Sequence, residues 1–258
     1  MNAFEMMKLR GFNNLETVVN FIALYQDNSW LWYCICAAPN GDIYAGNASG
    51  GIYKQSGGQG NFVALDQNRG YQYICAAPNG DIYAGDPSGD IYKQSGGQGN
   101  FVALDQIHRN WMGVCAAPNG DIYAICNNNP NIYKQSGGQG NFVRLDQFFV
   151  YTWNFICAAP NGDIYAGTFS GEIYKQENGI DGFYVTNTPA QYFRGMCIAP
   201  NGDKYAVDVQ HIYKQSGGQG NFVALDQIHR SWTGVCAAPN GDIYAVIYLD
   251  GIYKMALI

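Results

Sequence analysis

Apolar residues along this chain fall in blocks of four to seven, broken by glycine, asparagine and serine, with no run at the spacing of an amphipathic helix. The stretch Trp111 to Gln147 shows the pattern in full: WMGVCAAPNGDIYAICNNNPNIYKQSGGQGNFVRLDQ. Four blocks rich in aromatic and β-branched residues read as four strands, a to d. Strand a, Trp111 to Ala117, is apolar throughout, as for a strand buried on both faces. Asn119-Gly120 predicts a tight type I′ hairpin into strand b, Asp121 to Ile125. Strand c is Ile132 to Gln135, and the loop Ser136 to Gly140 leads to strand d, Asn141 to Gln147.

The unit recurs six times. Its proline stands at Pro39, Pro78, Pro118, Pro160, Pro200 and Pro239, at spacings of 39, 40, 42, 40 and 39 residues. A fixed period in this range marks a solenoid or a propeller, and the chain ends choose between them. Asn20 to Gln26 matches the strand d text Asn61 to Gln67 with no strands a to c before it, and the last repeat stops after strand c. A displaced d strand is what a ring needs when its last blade is stitched from both termini, and closure hides sheet edges. The expected fold is all-β: a six-bladed β-propeller over residues 19 to 258, four antiparallel strands per blade, the last blade closed by the N-terminal strand. Residues 1 to 18 stand outside the pattern and read as a strap over one face, or as a tether through which the chain docks a partner or oligomerises.

Composition narrows the function. Charged residues make up 13% and the formal net charge is -6, so no basic field attracts phosphate backbones and nucleic acid is not an expected partner. No apolar stretch is long enough to insert in a membrane. The N-terminus does not read as a secretory signal, which places the protein in a cytoplasm, or in a virion released by lysis. Six of the eight cysteines, Cys36, Cys75, Cys115, Cys157, Cys197 and Cys236, sit three residues before the repeat proline. One per blade, they read as buried free thiols near the axis, too far apart to pair. Cys34 and Cys126 read as packing residues as well, and no metal site or other cofactor is expected.

Comparing the repeats with one another separates two quiet connections from two noisy ones. The a-to-b turn is Pro-Asn-Gly-Asp in every blade, and the c-to-d loop is Ser-Gly-Gly-Gln-Gly-Asn in four of five, Glu177 to Gly182 being the departure. The b-to-c and d-to-a connections vary and emerge on one face, where binding is expected. There His108, Arg109 and Trp111, and their counterparts His229, Arg230 and Trp232, combine cations with an aromatic; Arg69 and Tyr71 repeat the theme in blade 2. These eight are the candidate ligand contacts. The aromatics at fixed offsets also have a plain packing role, wedging each blade against the next.

The text Ala-Pro-Asn-Gly-Asp-Ile-Tyr-Ala followed by Ile-Tyr-Lys-Gln resembles the repeats of tachylectin-type and tectonin-type propellers, and more closely near-identical propeller repeats encoded in bacterial and bacteriophage genomes, over residues 20 to 254. Tachylectin-like proteins bind N-acetylated sugars, so the resemblance implies a lectin-like, multivalent recognition protein with a glycan or cell-surface partner. The alternative is a structural or virion-associated assembly protein. A glycan-processing enzyme is disfavoured: the chain has three histidines, no Gly-x-Ser-x-Gly elbow and no HExxH helix.

Overall fold

The computed structural model describes residues 20–24, 31–65, 69–86, 88–104, 108–126, 130–145, 152–225 and 229–256. The leader, parts of several d-to-a connections, Pro87 and Asn127 to Asn129 of two b-to-c connections, and residues 257–258 lie outside them. The chain forms six four-stranded antiparallel sheets, five of them in the plain order a-b-c-d. The sixth takes its outer strand from the N-terminus: Asn20–Leu24 pairs with Ile252–Ala256 in the register Asn20↔Ala256 to Leu24↔Ile252. The inner strands Trp32–Ala37, Tyr73–Ala76, Trp111–Ala116, Trp153–Ala158, Gly195–Ile198 and Trp232–Ala237 pack side by side in a closed ring. This is a six-bladed β-propeller closed by its first strand.

Each hydrophobic cluster spans two consecutive blades, so the blades are not separate cores. In blade 3 the Trp111 ring meets Tyr133 of strand c at 5.3 Å and Phe142 of strand d at 5.4 Å, and the same cluster includes Tyr73, Cys75 and Tyr83 of blade 2. Volume is traded across the a-to-b pair. Strand a residues with a side chain face glycine (Cys34↔Gly46, Tyr73↔Gly85, Phe155↔Gly167), and strand a glycines face branched residues (Gly113↔Ile125, Gly195↔Val207, Gly234↔Val246). A Cβ on Gly85 would stand 1.8 Å from the Tyr73 ring, so the pair is filled to close-packed density by one side chain or the other.

Two local expectations change. The a-to-b turn is not type I′: Gly120 alone carries a positive φ, of 89°, and Asn119 does not. Pro118 presets the negative φ of the first central position, which moves the turn one residue earlier, to Ala117-Pro118-Asn119-Gly120, closed by Gly120 N donating to Ala117 O at 2.9 Å. Strand d is also shorter than its text. Ladder pairing in blade 3 covers Val143–Arg144 only, because this outer strand has no neighbour beyond it and both residues are exposed.

The two quiet connections are one structural unit. Asp121 accepts from Gly137 N of the c-to-d loop at 2.8 Å and from Asn119 Nδ2 at 3.0 Å, and its other partner is Lys134 Nζ at 2.6 Å. Lys134 lies over the Tyr123 ring, and the Tyr123 hydroxyl donates to Gly179 O of the next blade at 3.4 Å. The divergent loop of blade 4 keeps this geometry. Asn178 and Asp181 take φ of 51° and 62°, left-handed values that these two residue types tolerate, where other blades have glycine.

This network sets an acid limit on stability. Burial pushes the carboxyls of Asp42, Asp81, Asp121, Asp163 and Asp203 up, but hydrogen bonds from the paired lysine, a loop N–H and the turn asparagine outweigh it and hold each below 3.8. A carboxylate with a depressed folded-state pKa stabilises above its unfolded value and loses that contribution as pH falls through the folded one. The urea midpoint is therefore expected to drop steeply below about pH 4, in five blades together. An equal midpoint at about pH 3 and pH 6 would show that the network contributes nothing.

Candidate functional site on the loop face

The variable connections converge on one face and hold one another there. Among the described residues three d-to-a connections bond to the b-to-c turn of the blade before them: Arg109 N donates to Gly89 O, Gln191 N to Gly171 O and Arg230 N to Gln210 O. The three candidate arginines lie over strand c tyrosines. Arg69 lies 4.8 Å from the Tyr92 ring and donates to its hydroxyl at 2.6 Å, with Asp86 at 3.6 Å. Arg109 lies 4.4 Å from the Tyr133 ring and 5.9 Å from Trp111. Arg230 lies 4.6 Å from the Tyr253 ring, bonds to its hydroxyl, and pairs with Asp250 at 2.5 Å.

The aromatic members are placed differently. Tyr71, Trp111 and Trp232 are 0%, 4% and 1% exposed and pack against strand c and strand d rings of their own blades, which takes them out of reach of a ligand. Their fixed offsets carry the packing role, not a stacking platform. His108 is 72% exposed and pairs with Asp90 at 3.1 Å. His229 meets His211 with Nε2 atoms 3.1 Å apart, and the far side of His211 faces Tyr213 and Asp208. These clusters sit on separate blades, so the structure does not gather the eight residues into one pocket.

What it does gather is a set that the candidate list omits. The residue that follows each repeat aromatic, Tyr33, Gln72, Met112, Asn154, Arg194 or Thr233, is at least partly exposed and lines an axial channel of about 250 Å³ at its loop-face end. In four blades a β-bulge falls at this residue, between Trp32 and Cys34, Trp111 and Gly113, Trp153 and Phe155, and Trp232 and Gly234. A bulge re-aims a side chain that regular alternation would place elsewhere. Two of the six hydrogen-bond to the backbone of the next blade: Asn154 Nδ2 donates to Phe193 O at 2.5 Å, and Thr233 Oγ1 to Trp32 O at 3.1 Å. Tyr33 meets Tyr248 edge-on at 5.3 Å, and Arg194 donates to Ser231 Oγ at 3.4 Å. The signal was present in the text: this position holds six different residue types between an invariant aromatic and an apolar core.

Below this mouth the channel is lined by the six repeated cysteines. None of the eight cysteines forms a disulfide; burial pushes the thiols of Cys34 and Cys157 up to about 12, so they stand neutral in the channel wall. The opposite end opens into an apolar well of about 470 Å³ ringed by the six repeat prolines. Among the described residues no group of three or more His, Cys, Asp or Glu is arranged to hold a metal ion, and no helix is long and apolar enough to cross a membrane.

No protein-family model matches the sequence, and no curated protein shows a significant match. Solved structures do match in shape. The virginiamycin B lyase of Staphylococcus aureus aligns at a TM-score of 0.67 and 12% identity, over 93% of this chain and 99% of that one. YCF48 bound to D1 peptide aligns at 0.67 and 11%, over 95% and 96%, and the WD40 propeller domain of Doa1 at 0.65 and 10%, over 93% and 98%. At these identities the likeness is one of fold, a β-propeller spanning nearly the whole of each chain, which the same architecture lends to enzymes and to binding proteins alike.

Proposed function

We propose that the protein is a non-enzymatic recognition protein that receives its ligand at the loop-face mouth of the axial channel, with a glycan as the ligand class. The observation that carries this reading is the ring of six equivalent backbone positions holding six different side chains, Tyr33, Gln72, Met112, Asn154, Arg194 and Thr233. Everywhere else in the inner strand the repeats follow packing rules. An aromatic edge, two amides, a guanidinium and a hydroxyl around one opening offer oriented donors and acceptors to a hydroxylated ligand. The resemblance of the repeats to sugar-binding propellers leads the same way. His108, Arg109, His229 and Arg230 supply outer contacts for a larger ligand. Because the loop face does not repeat itself, this reading has one composite site, whereas multivalency needs the same exposed groups in every blade.

A glycan array probed with the purified protein is expected to return binders. Replacing Gln72 and Arg194 together with Ala should weaken them about tenfold or more, the loss of two hydrogen-bonding groups, one charged. Full binding by the double variant would remove the channel mouth from the site. A second reading, a protein partner, is favoured by apolar residues exposed on the same face of blades 4 to 6: Phe169 beside Tyr192 at 6.2 Å, Val209 and Leu249. YCF48, a propeller of similar fold, was solved bound to a peptide, which supports this reading. An empty array together with a captured partner whose binding is lost in Phe169→Ser would decide for this reading.

A further inference from the structure

One blade junction departs from the other four that involve a c-to-d turn. At those four the strand b tyrosine of one blade donates to the turn of the next: Tyr244 to Gly58 O, Tyr44 to Gly97 O, Tyr83 to Gly138 O and Tyr123 to Gly179 O, all at 3.4 Å. Between blades 4 and 5 the corresponding groups are Tyr165 and Gly218. There Lys204 intervenes, its Nζ 3.5 Å from Gly218 O and 4.4 Å from the centre of the Tyr165 ring. Lys204 stands where every other blade has isoleucine, at Ile43, Ile82, Ile122, Ile164 and Ile243.

The exchange leaves two groups without their usual partners. Among the described residues the Tyr165 hydroxyl has no hydrogen-bond partner, and Lys204 makes no ion pair. Each strand c lysine, by contrast, sits 2.6 to 2.9 Å from an aspartate. Burial, with Lys175 nearby, pushes the Lys204 ammonium below its usual range, a cost that a bound anion would offset. Two cavities, of about 570 and 510 Å³, flank Lys204 and share Tyr165, Lys175 and Gly218 in their walls. The larger is also lined by Tyr184, Thr186, Asn187 and Asn221. Tyr184 is exposed, and its hydroxyl is held by Glu177 at 2.6 Å, while Glu177 is itself neutralised by Lys175 at 3.3 Å.

We propose that the seam between blades 4 and 5 is a binding site for a small hydroxylated carboxylate of the sugar-acid class. Its carboxylate sits between Lys204 Nζ and the Tyr165 hydroxyl, its hydroxyls meet Thr186, Asn187 and Asn221, and its ring lies against Tyr184. The carboxylate completes at this junction the lysine-carboxylate pairing that the strand c lysines find within the chain. The volume suits a single sugar. The site is bounded by the turns of the repeated face, so it stands or falls independently of the loop-face reading.

Calorimetric titration of the full chain with D-glucuronate tests this, with D-glucose, acetate and inorganic phosphate as separate arms. Glucuronate is expected to bind, and Lys204→Ile to weaken it at least about tenfold, the order expected for losing a charge-assisted hydrogen bond. Because Ile is the residue of the other five blades, this variant should fold, which its thermal unfolding checks; if it does not, Tyr165→Phe serves in its place, with weakened binding again expected. No heat with glucuronate, or unchanged affinity in the folded variant, would overturn the site. Acetate or phosphate binding as tightly as glucuronate would overturn the sugar-acid assignment.

Discussion

A chain lacking residues 1 to 26 is expected to lose the propeller as a cooperative unit and to aggregate. Those residues include the strand Asn20–Leu24, which completes blade 6 by pairing along Ile252–Ala256. Its removal strips the outer edge of that blade and uncovers Met255 and Tyr253, now 3% and 5% exposed. It also takes Phe21 from its contact with Trp232, ring centroids 5.7 Å apart. Burying one such aromatic contributes roughly 1.5 to 3 kcal/mol, and each ladder hydrogen bond about 1 kcal/mol net. The loss is thus of the order of a typical domain's whole stability, about 5 to 15 kcal/mol. A bare edge next to apolar side chains is also a template for pairing with another chain. Size-exclusion chromatography and urea unfolding of this truncation, beside one lacking only residues 1 to 19, separate the strand from the leader. A monomeric 27–258 chain as stable as the parent would refute the closure.

Trp153→Ala is expected to be the most costly single substitution in blade 4, at about 3 to 5 kcal/mol. Trp153 is fully buried, with Tyr174 at 5.3 Å and Phe183 at 6.5 Å. Its indole N–H donates to Pro130 O at 2.7 Å, across the seam to blade 3. The equivalent N–H of Trp232 has no partner among the described residues. Trp153→Phe should therefore cost about 1 kcal/mol more than Trp232→Phe, because only the former orphans a carbonyl. Equal urea midpoints for the two Phe variants would show that the Pro130 bond adds nothing, and a Trp153→Ala loss under about 1 kcal/mol would contradict the wedge role.

Strand number, strand order, blade count and the shared closing blade were legible in the text, because alternating blocks, turn residues and a 40-residue period are local properties written into each repeat. So was the face on which variation gathers. The a-to-b turn is set locally too, by the proline that precedes Asn-Gly and fixes the first central φ. The length of strand d was not local, since it depends on whether a neighbour lies beyond it.

The candidate site shows where local text stops. Arg69, Arg109 and Arg230 were visible as cations beside an aromatic, but the rings they rest on are Tyr92, Tyr133 and Tyr253, more than twenty residues away in sequence. Tyr71, Trp111 and Trp232 look the same in the text whether they wedge a core or face a ligand; packing within each blade and against the blade before buries them. The meeting of Tyr33, Gln72, Met112, Asn154, Arg194 and Thr233 at one opening exists only because six repeats return to a common axis. The sequence alone thus determined what each blade is, since a blade's strands and turns are selected by neighbouring residues. Tertiary structure alone decided which side chains of different blades share a space, because that depends on the angle at which each blade packs on the next.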